Sequence, residues 1–217
     1  MEHKKSLLDI LKFKKENKDD IEIECPLANP LSLRFDSLLN IKSVDFYDCD
    51  FKLDSIEEYK RCANSTSFVF SDYHLRDRNG VYQNALKLRV VDEDVLILKN
   101  YESMPYDEEL DEILKDTGRT GKFEIHEDDI TTTFCRVNNL KEQWNAEVKK
   151  LIDADGNGKI TRTDPVTTTN VRYWDFWREE EKNATGSEML FIEIDEKTGW
   201  IKMWRGDFIN SENILVI

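Results

Sequence analysis

Residues 188–194 and 200–204 are two apolar runs joined by Asp195-Glu196-Lys197-Thr198-Gly199. A short polar connection ending on glycine between such runs predicts a β-hairpin. The signal recurs at 85–91, where Leu86, Leu88 and Val90 alternate with polar residues. Asp92-Glu93-Asp94 then turn the chain, and 95–98 run back. Further strands are expected at 44–51, at 67–75 with Phe68, Phe70 and Tyr73, at 131–137, at 170–178 and at 214–217, the last on a sheet edge. Asn79-Gly80 marks another turn. Alternating βαβ spacing is missing, so the strands are expected to pair antiparallel.

Helical spacing appears at fewer places. Ser6 can cap a helix over 6–15, with Asp9 in capping-box position. Short helices are expected at 55–62 and 107–115, with Gly118 and Gly121 marking a loop. Residues 140–152 form the clearest helix candidate, with Leu140, Trp144, Val148, Leu151 and Ile152 on one face. The expected fold class is therefore α+β: a mainly antiparallel sheet with a few short helices. Residues 1–20 read as an N-terminal helix and linker. Residues 21–217 read as a single domain, with room for a subdivision near 101–130.

The chain has 217 residues and a net charge of -14. Such a balance lacks the basic footprint that nucleic acid demands and disfavours an anionic membrane. It suits cations and basic proteins. Aromatic content of 11% argues for a packed core. No apolar run reaches transmembrane length. Asp9, Lys12, Lys14 and Lys15 break the N-terminal apolar stretch that a signal peptide would need, so a cytoplasmic location is expected. Cys25, Cys49, Cys62 and Cys135 contain no C-x-x-C pair, which leaves zinc and thioredoxin chemistry without support.

One segment carries recognisable chemistry. Asp153-Ala154-Asp155-Gly156-Asn157-Gly158-Lys159-Ile160-Thr161-Arg162-Thr163-Asp164 resembles the EF-hand calcium loop. A hard cation needs six or more oxygens. Asp153 and Asp155 would supply carboxylates, Asn157 an amide oxygen and Lys159 its backbone carbonyl. Thr161 would act through water and Asp164 would close the shell, while Gly158 allows the sharp turn. Asp at the last position makes bidentate closure harder than Glu would, and admits Mg²⁺ as a competitor of Ca²⁺. Pro165 and the β-branched residues 166–169 predict a strand after the loop. No second loop is present, so the motif reads as a structural clip rather than a sensor. The competing reading is an Asp/Asn/Gly-rich turn without metal.

No catalytic or cofactor-binding constellation stands out. His3, His74 and His126 are scattered, and His74 reads as a surface histidine. The chain has no G-x-S-x-G, P-loop or dinucleotide fingerprint. Tyr173-Trp174-Asp175-Phe176-Trp177, with Trp200 and Trp204, reads as core in preference to a binding platform. Arg172, Arg178 and Arg205 could flank it through cation–π contacts.

Pro26-Leu27, then 73–77 before the 85–98 hairpin, then Phe134-Cys135-Arg136-Val137 before Trp144 give 25–217 a segment order that resembles the uncharacterised bacterial YjfK-type proteins. The calcium-like loop is no part of that pattern. The resemblance implies a bacterial cytoplasmic protein and nothing about activity. Three functions follow from the residues. The first is an acidic binding or accessory protein with a calcium clip. The second is an inhibitor or immunity-type protein that masks a basic partner through 101–130, which holds eleven acids against three bases. The third is an enzyme assembled from dispersed residues.

Overall fold

The computed structural model describes residues 35, 38–46, 49–63, 66–91, 94–137, 144–152, 167–178 and 188–216. Among them are twelve strands and one α-helix. The strands are β1 (Leu38–Ile41), β2 (Asp50–Ala63), β3 (Thr66–Asp77), β4 (Leu86–Val91), β5 (Asp94–Pro105), β6 (Lys122–Glu127), β7 (Ile130–Arg136), β8 (Trp144–Leu151), β9 (Thr167–Arg178), β10 (Met189–Asp195), β11 (Trp200–Ile209) and β12 (Ile214–Val216). The helix, α1 (Glu108–Thr120), lies between β5 and β6. All pairings are antiparallel.

Eight strands close on themselves in the order β2-β3-β4-β5-β11-β10-β9-β8, and β8 returns to β2. Closure removes the free edges that an open sheet would expose. Two long strands make the remaining connections by switching partners. β2 pairs with β1 through Asp50–Lys52 and with β8 from Ile56 onward, either side of a bulge between Leu53 and Ser55. β9 pairs with β8 up to Tyr173 and with β7 from Phe176. Thus β1 and β12 leave the barrel on one side, and β7 and β6 on the other.

This architecture corrects the α+β expectation. Within the helix expected at 140–152, Trp144–Leu151 form β8, and the one expected at 55–62 lies inside β2. Period decides the first case. Trp144 and Val148 are four apart, which fits a helical face and also two steps of a strand. Ala146 is the discriminating residue: it is buried between them while Asn145, Glu147 and Lys149 are exposed. In β2, Ile56 packs outside the barrel and Tyr59 inside it. Burial on both faces of one strand imitates helical spacing. The strand expected from residue 44 begins at Asp50, after a 3-10 turn at Val44–Phe46.

Where turn chemistry and alternation agree, the expectations hold. β4–β5 and β10–β11 are hairpins, and Gly199 adopts φ +70. α1 runs past the expected 107–115. Asp107 caps it by accepting from Leu110 N at 2.8 Å, and Gly121 ends it at φ +70. Gly118, expected in a loop, falls within it.

Three apolar clusters follow from the geometry. One fills the lumen with Tyr59, Phe70, Leu96, Leu98, Trp144, Phe191 and Trp204 among others. A second joins the outer face of β2–β5 to β1, β12 and the 3-10 turn. The third joins the outer face of β9–β11 to α1, β6 and β7, through Leu114, Phe123, Phe134, Trp174, Phe176 and Ile192. Each large side chain buried this way contributes roughly 1.5–3 kcal/mol. No helix among the described residues is long and apolar enough to cross a membrane.

Candidate functional site

The lumen is lined by buried aromatic and charged side chains. Asp72 on β3 accepts from Arg89 Nε and NH2 on β4, both at 2.7 Å, and Lys87 Nζ lies 2.7 Å away. Glu193 on β10 accepts from Lys87 at 3.0 Å and from Arg89 at 3.2 Å. Tyr59 Oη and Trp204 Nε1 donate to the same carboxylate, each at 3.2 Å. The Arg89 guanidinium lies 4.3 Å from the ring centroids of both Phe70 and Phe191, and Lys87 stands 4.1 Å from the Trp204 ring centroid. Two cations face two carboxylates, and all four side chains are buried.

Burial alone would raise the Asp72 carboxyl. Arg89 and Lys87 overcome it and hold the group below its ordinary value. Arg89 shows the mirror case, held up by Asp72 against burial. Toward the β2 bulge, burial also opposes the charge on Glu57, and His74, Lys87 and Lys202 together keep it well below the usual carboxylate range. His74 Nε2 lies 2.9 Å from Glu57 Oε2. His74 is therefore no surface histidine. It faces the lumen beside Trp204, while its neighbour Tyr73 packs in the cluster outside the barrel. The arrangement is a buried ion network. Its chemistry is structural: a desolvated cluster whose members each leave a buried partner behind if removed.

The acidic segment is less uniform than its composition implies. Asp107 is spent on the helix cap. Asp111 is buried. It accepts from Tyr106 Oη at 2.7 Å and from Arg172 NH1 at 2.9 Å. Glu127 binds Arg205 at 3.1 Å. Glu102, Glu108, Glu109 and Glu112 remain exposed. Beside them stand two large rings. Trp200 pairs with Pro105 across β11–β5, next to Tyr106, and the rings are 46% and 47% exposed. Ile113 on the outward side of α1 is similarly open. The remaining aromatics are largely core: Tyr173 and Trp204 in the lumen, Trp174 and Phe176 outside the barrel, and Trp177 partly buried. Arg172 stands 5.8 Å from the Trp174 ring, whereas Arg205 packs by Tyr101 and Phe134 instead.

A cleft of about 790 Å³ lies on the outer face of β5 and β11, between the two covering layers. Lys99 on its floor pairs with Asp45, and Arg205 pairs with Glu188 at 2.9 Å. Gly206 leaves no room for a side chain against β5. A Cβ there would fall 1.7 Å from the carbonyl oxygen of Ile97. Burial first, and Glu188 second, push the Asp207 carboxyl above its ordinary value.

Asp153, Asp155, Asn157, Lys159, Thr161 and Asp164 lie outside the described residues, as does the 6–15 segment. The connection that carries the loop joins β8 to β9, so the expected entering helix is a strand. Among the described residues, no group of three or more His, Cys, Asp or Glu side chains is placed to hold a metal ion. No family model, curated protein or solved structure matches the chain.

Proposed function

We propose that this is a non-enzymatic binding protein that captures a basic protein partner at the corner formed by Tyr106, Trp200 and α1. The observation that carries the reading is two half-exposed aromatic residues, Tyr106 and Trp200, where β5 and β11 meet, with exposed carboxylates on the neighbouring helix. Aromatic anchors concentrate binding energy at interfaces. Carboxylates around them steer a basic partner and favour it over an acidic one. The chain's charge of -14 adds a long-range attraction of the same sign.

The loop at 153–164 enters this reading as a Ca²⁺ clip on the β8–β9 connection, supported by the spacing of its oxygen donors. Mg²⁺ is its competitor. The clip would hold the connection rather than switch the protein.

Hydrogen exchange tests the binding site. A partner is captured from the native host at low salt, purified, and added back. Protection is expected at 105–116 and around Trp200. Protection confined to other surfaces would sink the proposal.

A further inference from the structure

We infer that the basic, apolar segment 1–18 of this chain docks in cis on the corner formed by Tyr106, Trp200 and α1. Residues 1–18 hold six lysines against three acids, in a chain whose net charge is -14. By contrast, 19–34 hold four acids and one arginine, and 179–187 three glutamates and one lysine, so both carry the sign of the body. Leu7, Leu8, Ile10, Leu11 and Phe13 form the middle of the segment. Lys4 and Lys5 precede them, and Lys14, Lys15 and Lys18 follow. An apolar centre bordered by cations is complementary to an apolar patch bordered by anions.

The corner supplies that patch. A Cβ on Gly199 would fall 3.7 Å from the Tyr106 Cβ, so the residue before Trp200 packs against the base of the Tyr106 side chain. Both aromatic residues are half exposed. The Tyr106 hydroxyl donates to Asp111 at 2.7 Å, which sets one side of α1 beside them. Glu108 and Glu112, three and four apart from their helical neighbours on that side, are exposed there. Glu196 stands 4.0 Å from Arg172, which itself holds Asp111. The bases at hand are Arg172, Lys115 and the exposed Lys197. Lys115 is held by Glu112 at 2.7 Å and by Asp111 at 3.3 Å. Exposed Glu102, Asp107 and Glu109 add to the carboxylates, which outnumber these bases.

The connection is long enough. Residues 19–34 join the segment to Phe35, which is buried in the cluster outside the barrel. Extended, a stretch of that length spans about 55 Å. A compact chain of this size has a radius of gyration of about 17 Å. A tether of this kind holds the segment at an effective concentration of about a millimolar, so a weak contact suffices. The inference takes its surface from the reading above, and a basic partner would have to displace the segment. It needs no partner to hold.

The test uses the full chain with no partner added. The indole N–H signal of Trp200 is followed by NMR and assigned by its loss in Trp200→Phe. At low salt, two variants of the segment should each shift it: Lys12→Glu with Lys14→Glu and Lys15→Glu, and separately Leu8→Ser with Leu11→Ser. The signals of buried Trp144, Trp174 and Trp204 should stay in place. Salt added to the wild type should move the Trp200 signal in the same direction, because screening weakens the contact. Carbodiimide should link lysines of the segment to Glu108, Glu112 or Glu196 within one chain, and the links should be lost at high salt. Four results would overturn the inference: a Trp200 signal unmoved by both variants, a shift shared by the buried indoles, cross-links absent or confined to other surfaces, or cross-links formed only between copies. Failure to capture a basic partner would leave all of these readouts unchanged, so the two readings fail separately.

Discussion

The inside of the barrel and the corner at Tyr106 and Trp200 use the same residue types to opposite ends. Both combine carboxylates with aromatic rings. In the lumen, Asp72 and Glu193 are dry, matched by Lys87 and Arg89, and boxed by Phe70, Phe191 and Trp204. At the corner, Glu108, Glu109 and Glu112 are wet and the rings are half bare. Charge in the first region is consumed in holding the fold. Charge in the second stays at the surface, with Glu112 met by Lys115 at 2.7 Å and Glu108 and Glu109 exposed. What separates them is compensation and solvent, not composition.

The largest test of this contrast removes one lumen charge. Asp72→Ala strands Lys87 and Arg89 without their shared partner. Urea unfolding should show a loss of about 3–5 kcal/mol, or a failure to fold. Glu108→Lys at the corner should change stability by no more than about 0.5 kcal/mol. Equal costs would break the comparison.

Acid gives a graded version. The Asp72, Glu57, Asp111 and Asp195 carboxyls all lie below their ordinary values. As pH falls, the unfolded chain takes up protons first, near pH 4. Their stabilisation is therefore complete above the unfolded values and is lost as pH drops toward the depressed folded values. The urea midpoint should decline steadily from about pH 5 to pH 3. A flat midpoint across that window would contradict the assigned pairings.

Gly206 tests the seam between lumen and cleft. Gly206→Ala must displace the Ile97 carbonyl, so a loss of about 1–3 kcal/mol is expected from the same unfolding assay. A neutral result would mean that β5 and β11 do not approach as closely as the register places them.

The hairpins were legible in the sequence because two independent signals coincide there. At 195–199 the turn residues and the flanking alternation agree, and at 92–94 they agree again. Closure was not legible. It rests on β8 pairing with β2 and β9, and nothing in 144–151 names a partner far away in sequence. β8 also misleads through Trp144 and Val148, whose spacing serves either period. The lumen was hidden for a related reason. Lys87 and Arg89 alternate with Leu86, Leu88 and Val90, a pattern that normally places charge in water. Here an outer layer of β1, β12 and the 3-10 turn buries the apolar side, and the charged side turns inward. Only the layers added outside the barrel decide between the two, and they come from distant segments. The corner was half legible: the excess of acids at 101–130 could be counted, but the burial of Asp111 by Arg172 could not.

A smaller effect concerns the β8–β9 connection. If the 153–164 loop holds Ca²⁺, the melting temperature should rise with calcium. At a concentration a hundredfold above Kd the gain is about 2.7 kcal/mol. Asp153→Ala should abolish the rise, and Mg²⁺ should reproduce part of it. Identical melting in calcium and chelator, with no calorimetric signal, would leave the connection a metal-free turn.

The corner itself is tested most directly by affinity. The purified partner is titrated against the wild type, Trp200→Ala and the double variant Glu108→Lys with Glu109→Lys, at low and high salt. Trp200→Ala should cost about 2 kcal/mol, roughly thirtyfold in Kd, as a central aromatic anchor does. The double variant should slow association and flatten its salt dependence, with little effect on dissociation. A partner that binds all three proteins with the same affinity and the same response to salt would contradict the assignment of function to this surface.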